Sequence, residues 1–245
     1  MSEQNKHDNL FNEPIDKIAD FAFDDKVASV FPDMIKRSVP GYKTIIAMTG
    51  VIAERYATKH SKCYDLGCSL GASTLAIRQH LSADDCRIVA VDNSAAMLER
   101  CRKVIASVHS DIAVEFIEAD IQDVVINNAS VVALNFTLQF IAPEHRSLLI
   151  ENIFKGMNPG AVLILSEKIC FEDPHLQELN TELHHEFKRT NGYSDLEIAQ
   201  KRTAIENVLL PETVAKHQAR MRQAGFSSCD VWFQCFNFVS MVAVK

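Results

Sequence analysis

No apolar stretch in the 245 residues approaches the roughly 18–20 that a membrane-spanning helix requires. The opening residues, MSEQNKHDNLFNEP, have none of the apolar core of a secretory leader. A cytosolic protein with no membrane role is therefore expected. Cations are outnumbered: 25 Lys and Arg stand against 32 Asp and Glu, a net charge of −7. Tight autonomous binding to nucleic acid draws most of its affinity from neutralised phosphates, so such binding is not expected. The two short basic runs, IKR at 35–37 and KRT at 188–190, read as solvated helix charge. The seven cysteines include no CxxC pair, and an odd count fits neither a zinc site nor a disulfide framework. Reduced, mostly buried thiols are expected. His184 and His185 are adjacent, and neighbours on a helix point about 100° apart, so no metal site is expected there. Internal repeats, low-complexity tracts and Gly/Ser linkers are also missing.

What the sequence does have is 47% hydrophobic and 23% charged residues, the composition of a packed core rather than a disordered chain. Residues 1–24 are polar and expected to be mobile at their start. Residues 25–57 read as helices broken by Pro32 and by Pro40-Gly41, with TIIAMTGVIAERY apolar at helical spacing. Then the pattern changes. KCYDLG, CRIVAVD, AVEFIEAD, ASVVALNFTL and AVLILSEK read as strands. Between them ASTLAIRQHL, SAAMLERCRKVIA and PEHRSLLIENIFKGM read as helices, the second capped by Ser94 and the third opened by Pro143.

This alternation predicts an α/β fold with a doubly wound, mostly parallel sheet. Asp173 to Gly225 is helical and charged, too long for a simple crossover, and reads as an inserted cap. CDVWFQCFNFVSMVAVK holds two strand runs so close that they must pair as an antiparallel hairpin, completing seven strands. The expected organisation is a helical segment at 1–57, an α/β domain at 58–172 and 226–245, and a helical cap at 173–225.

The segment YDLGCSLGAS, Tyr64 to Ser73, feeds a strand through a tight glycine turn into a helix. Such a turn brings backbone N–H groups and a helix N-terminus close to a ligand. Gly67 permits the reversal and Gly71 the close approach of helix and strand. No GK[ST] follows, so the turn is not a Walker loop. The middle glycine of a dinucleotide fingerprint is replaced by Ser69, and an acid, Asp65, precedes the turn. A carboxylate there would repel a pyrophosphate and attract an ammonium group. Cys68 lies near a helix N-terminus, which would lower its pKa, but no histidine is near it in sequence and a nucleophilic role is not expected.

Asp92 ends the second strand, where an acid in nucleotide-binding α/β sheets hydrogen-bonds ribose hydroxyls. Asp120 ends the third strand run; it is placed either to face an adenine edge or to cap a turn. Acids at three successive strand ends, with no phosphate lysine, describe a site for a cationic adenosine compound. S-adenosyl-L-methionine fits, and the Pro-Gly turn before AVLILSEK and the terminal hairpin match the Rossmann-like class I methyltransferase fold. The fourth strand ends in LNFTLQF, without the Pro pair of amino-group methyltransferases, which disfavours methylation of an exocyclic base nitrogen.

From about Phe11 to Lys245 the chain resembles the carboxy-S-adenosyl-L-methionine synthase family. The likeness is carried by FDDKVASVFPDMIKRSVPGY, YDLGCSLGAS, VDNSAAMLERCR, LNFTLQF, LSEK, FKRTNGYSDLEIAQKR and WFQCFNFVS. It implies an enzyme that converts S-adenosyl-L-methionine and prephenate to carboxy-S-adenosyl-L-methionine, phenylpyruvate and water. Prephenate would release CO2, and the deprotonated sulfonium methyl, an ylide, would capture it. A downstream tRNA carboxymethyltransferase would use the product at the wobble uridine. A homodimer, no direct tRNA binding and no metal are also implied. Taken alone, Tyr42 reads as a packing aromatic and Arg202 as a surface helix charge. The resemblance instead implies a ligand set of Tyr42, Gly67, Cys68, Ser69, Asp92, Asn93, Asp120, Ile121, Asn135 and Arg202, with Arg202 meeting the product's extra carboxylate. Two other classes stay open: a conventional methyltransferase acting on a small acid or on tRNA, and a non-enzymatic adenosylmethionine-binding partner of a tRNA enzyme.

Overall fold

The computed structural model describes residues 6–82 and 86–245. Seven strands form one sheet: β1 (Lys62–Leu66), β2 (Arg87–Asp92), β3 (Val114–Glu118), β4 (Ala129–Asn135), β5 (Met157–Lys168), β6 (Ser228–Cys235) and β7 (Phe238–Val244). Their spatial order is β3-β2-β1-β4-β5-β7-β6. The first five run parallel, and β7 inserts antiparallel between β5 and β6. Among the described residues, eight α-helices accompany them: α1 (Asp25–Ser38), α2 (Tyr42–Tyr56), α3 (Ala72–His80), α4 (Ala95–Ala106), α5 (Pro143–Gly156), α6 (Pro174–Thr190), α7 (Asp195–Ile205) and α8 (Val214–Ala224).

The central strands are apolar throughout because helices cover both sheet faces. In β4, Val132 and Leu134 point to one side and pack with Ile150 of α5 and Met221 of α8. Val131 and Ala133 point to the other and meet Ala53 of α2 and Ile77 of α3. This is the two-residue period of a strand spent on two cores. Ser94 accepts a hydrogen bond from the Met97 N–H and caps α4, as its position predicted.

Two expectations about the N-terminal region are corrected. Pro32 does not break its helix: α1 runs from Asp25 to Ser38 through it. The missing N–H and the ring crowd the Ala28 carbonyl, but Val27, Val30 and Met34 bury a face against Leu10, Phe21, Phe23 and Met97, which holds the helix together. The break at Pro40-Gly41 does occur. Gly41 has φ +77°, and a Cβ there would lie 2.2 Å from the Phe233 ring, so only glycine fits both the backbone and the space.

The second correction concerns Arg37, which ties down the described part of the polar start. Residues 1–5 lie outside the described residues, but Asp8 is buried. Its N–H donates to Asp33 at 2.8 Å, and its carbonyl accepts from Arg37 at 3.2 Å. Its carboxylate accepts from the Tyr193 hydroxyl and lies 3.5 Å from Lys201 Nζ. Arg37 also donates to the Asn191 carbonyl at 2.7 Å and stacks 3.9 Å from the centre of the Tyr193 ring. Of the run IKR, Arg37 is therefore a buried tie rather than solvated charge, while Lys36 is exposed. Gln200 adds bonds to the carbonyls of Phe11 and Glu13.

The inserted segment is thus divided. Helices α6 and α7 lie with α1 and the chain start over the strand ends. Helix α8 instead lies on the sheet, joined to α5 by the buried pairs of Glu212 with Arg146 at 2.7 Å and with Arg220 at 2.8 Å.

Asp8→Ala should leave the Lys201 ammonium buried beside an empty carboxylate position. Loss of one partner of such a pair costs about 3–5 kcal/mol. Urea unfolding should show a drop of that order; an unchanged midpoint would mean that the chain start contributes nothing to the cap.

Candidate active site

The order of parallel strands turns back between β1 and β4, so the connections leaving them diverge to opposite faces. A crevice opens outside the strand ends at such a point. Here it is a cavity of about 830 Å3, bounded below by the strand ends and above by α1, α6 and α7.

Its floor is the turn after β1. Gly67 has φ +80°, and its N–H and that of Cys68 both donate to the Val91 carbonyl, at 2.8 and 2.9 Å. Ser69 has φ +48°, the left-handed region that side chains avoid. The Asp92 carboxylate compensates: Oδ2 accepts from the Ser69 N–H at 2.8 Å, and Oδ1 from the Ser94 N–H at 2.9 Å. One carboxylate therefore fixes both the serine that replaces a glycine and the opening of α4. Gly71, at φ +84°, is needed for a different contact from the one expected. A Cβ there would lie 2.5 Å from Cys101 Sγ on α4, so it is a helix–helix approach that requires glycine.

Nine of the ten residues implied as ligands line this cavity: Tyr42, Gly67, Cys68, Ser69, Asp92, Asn93, Asp120, Ile121 and Asn135. Asp92 is partly buried, and burial raises its carboxyl against the two N–H bonds that lower it. Asp120 lies two residues beyond β3. Its Oδ1 caps a turn, accepting from the Gln122 N–H at 3.0 Å, and the residue also faces the cavity. Asn135 has its side chain engaged within the protein. Its amide N–H groups go to Ser73 at 2.9 Å and Thr49 at 3.2 Å, and its carbonyl accepts from Ser166 at 2.6 Å. Phe136, next in the chain, is also left-handed at φ +61° and packs 6.0 Å from the Tyr42 ring.

The tenth residue, Arg202, is exposed on α7 and does not line the cavity. Its charge still reaches the site, since it is among the causes that lower the pKa values of Lys168, His185 and Lys188. Asp65 also departs from expectation. It is fully buried, accepts from the Thr74 hydroxyl at 2.5 Å, and does not line the cavity. Cys68 is corrected too. The neighbouring Cys101 thiol, burial, and the carboxylates of Asp65 and Asp92 push its thiol up, not down. A neutral thiol at this position is no nucleophile.

Sequence reasoning missed the opposite wall. Lys168 at the end of β5, His184 and Lys188 on α6, and Lys201 on α7 all line the cavity. KRT at 188–190 is not all solvated charge, because Lys188 is only 9% exposed. The signal lay in LSEK, where Glu167 and Lys168 point to opposite sides. Glu167 is buried and accepts from the N–H groups of Leu138 at 3.0 Å and Gln139 at 2.9 Å, fixing the short helical turn Leu138–Phe140. Burial pushes its carboxyl up to about 8. Lys168 takes the cavity side. His184 meets the Ser38 carbonyl at 2.8 Å, and burial with nearby lysines holds its ring neutral, down to about 2. Among the described residues, no group of three or more His, Cys, Asp or Glu is placed to hold a metal ion.

This strand order, with a glycine turn after β1 and an acid ending β2, defines the class I S-adenosylmethionine-dependent methyltransferase fold. A methyltransferase-domain family matches residues 64–160. Magnesium protoporphyrin IX methyltransferase from Synechocystis PCC 6803 superposes with a TM-score of 0.59 at 14% identity, covering 86% of this chain and 87% of that one. The carboxy-S-adenosyl-L-methionine synthase of Vibrio cholerae is 59% identical over 244 residues, covering 100% of this chain and 99% of its own. That of Aliivibrio salmonicida is 59% identical over 238 residues, covering 97% and 98%. The chain belongs to the carboxy-S-adenosyl-L-methionine synthase family, whose members are transferases.

The buried acid under the turn has a measurable signature. Burial pushes the Asp65 carboxyl up to about 6 despite its bonds from Thr74. Its folded value lies above the ordinary 3.8, so the folded protein holds this proton more tightly than the unfolded chain does. Stability therefore falls as pH rises between about 4 and 6. A rise of this size corresponds to about 3 kcal/mol. For ligand-free protein, urea unfolding of Asp65→Asn should match wild type near pH ~4 and exceed it by up to about 3 kcal/mol at pH ~7. A constant difference across that window would count against a buried, ionising Asp65.

Proposed function

We propose that the protein joins S-adenosyl-L-methionine and prephenate, yielding carboxy-S-adenosyl-L-methionine, phenylpyruvate and water. In this reading the product serves a cytoplasmic tRNA carboxymethyltransferase acting at the wobble uridine, and the protein itself does not bind tRNA. The observation that carries it is the polarity of one cavity: Asp92 ends β2 and Asp120 follows β3 on one side of the switch point, and Lys168 ends β5 on the other. A plain methyl transfer has no use for lysines near a sulfonium, whereas a reaction with an anionic second substrate does.

The residues present fit the adenosyl substrate. About 830 Å3 lies within the size range of enclosed small-molecule sites. Asp92, oriented by its two backbone N–H bonds, is placed for the ribose hydroxyls; Tyr42, Ile121 and the turn supply the surrounding surface. Phe21, Phe23 and Phe140 line the same cavity and help keep water from it, which the chemistry requires because water would quench both CO2 and a methyl carbanion.

The reaction balances without a side-chain base. The bond between prephenate's ring and its departing carboxylate breaks, and the electron pair aromatises the ring and expels hydroxide. Hydroxide takes a proton from the sulfonium methyl and leaves as water, and the methyl carbon takes up the CO2. Net charge is equal on both sides, so no proton need pass to the protein. Arg202 belongs to this proposal as the partner of the product's carboxylate at the cavity rim. A homodimer belongs to it as well, and the exposed stripe of Leu176, Leu179 and Leu183 on α6 supports a covered face there.

Mass spectrometry of the ligand copurifying with the protein tests the reading. A species heavier than S-adenosyl-L-methionine by one CO2 is expected; the unmodified compound alone would favour conventional methyl transfer. By calorimetry, Asp92→Ala should weaken either ligand by about 1.5–3 kcal/mol, the range for a charged hydrogen bond. Arg202→Ala should weaken only the carboxylated ligand, by about 2–5 kcal/mol. Equal losses for both ligands would leave Arg202 a supporting role alone.

A further inference from the structure

Among the described residues, the two desolvated lysines of the cavity wall without a counter-ion are Lys168 and Lys188. Lys168 closes β5, and Lys188 stands in the last turn of α6. Both line the cavity. Among the described residues, no carboxylate lies within ion-pair distance of either ammonium. Lys201 differs, since it is held by Asp8, by the Ser38 hydroxyl at 2.9 Å and by Tyr193 at 3.3 Å. The charges that act on Lys188 are all positive: burial first, then Lys201, Lys168 and Arg202, hold it down to about 7. Lys168 is lowered by burial and by Arg202. His184, neutral and tied to the Ser38 carbonyl, brings no negative charge. A desolvated cation without a partner is costly, and two of them facing one cavity imply a ligand that brings the missing charges.

We propose that Lys168 and Lys188 form the binding site for the second substrate, each taking one carboxylate of a small organic dianion. This rests on the reading that prephenate, which has two carboxylates, is that substrate. Asp92 at the end of β2 and Asp120 beyond β3 lie across the switch point from Lys168, so the donor and the dianion are sorted by charge within one cavity. Lysine also suits the chemistry better than arginine would. The departing carboxylate must give up its charge as CO2, and a bidentate guanidinium fork would stabilise the bound substrate over the transition state.

The test is calorimetry on the S-adenosylhomocysteine complex, which has no methyl group to react, with prephenate and malonate as probes. Wild type is compared with Lys168→Met and Lys188→Met, which keep length and lose charge. Each variant should bind prephenate roughly 30-fold or more weakly, with S-adenosylhomocysteine affinity unchanged. Each should also melt at the wild-type temperature or above it, because an unpaired buried charge has been removed; a merely structural lysine would lower the melting temperature. Prephenate binding by both variants at wild-type strength overturns the subsite and leaves the proposed function standing. If wild type ignores prephenate but binds malonate through the same lysines, the subsite stands and the substrate assignment falls. If wild type binds neither anion, the subsite is overturned.

Discussion

The fastening of the chain start by Asp8 is the constraint on which the site depends. One buried residue contacts α1 through Asp33 and Arg37 and α7 through Lys201, and it binds the Tyr193 hydroxyl between α6 and α7. These elements pack over the strand ends, where α1 buries Val27, Val30 and Met34. Hydrophobic burial alone would not fix their position, because it is non-directional. A buried network with defined partners specifies one arrangement. Once that arrangement is set, Ser38 is positioned for His184 and Lys201, and α6 presents Lys188 to the cavity.

Below this cap, the sheet contributes a second fixed element. The turn after β1 depends on Asp92 as much as on its glycines, since the carboxylate holds Ser69 in a backbone region that is unfavourable to it. Phe136 at the end of β4 is strained in the same sense, held by its N–H to the Ser166 carbonyl at 2.6 Å. Both residues lie on the cavity wall. The rigid lower half places strained backbone, the carboxylates and Lys168, and the upper half adds Lys188 and Lys201. These groups face one cavity because the parallel strands end on one side and the insertion after β5 covers that side.

The sheet was legible in the sequence because its signal is local. Apolar runs such as ASVVALN, a serine before SAAMLERCR's helix and acids at strand ends each state their own conformation. Asp92 and the turn could be placed from these signals alone. The cationic wall could not. Whether Lys188 is solvated or buried depends on what packs above it, and its neighbours in sequence, Arg189 and Thr190, are exposed. Arg37 and Asp8 hid for the same reason, 29 positions apart and joined only in the folded state. Pro32 misled because a local rule was outweighed by tertiary packing. Cys68 misled because a helix N-terminus lowers a thiol pKa only where carboxylates and another thiol do not surround it.

The place of β7 has a consequence for synthesis. It follows β6 in the chain, yet it lies between β5 and β6, and its Phe238 reaches the cavity and packs 4.9 Å from the His184 ring. Until β7 leaves the ribosome, β5 has one unpaired edge along Val162–Lys168. An open edge on so apolar a strand is a template for association with other chains. A nascent chain that has not yet made β7 therefore carries this aggregation hazard, and chains truncated before β7 should be captured by chaperones rather than accumulate as partly active enzyme.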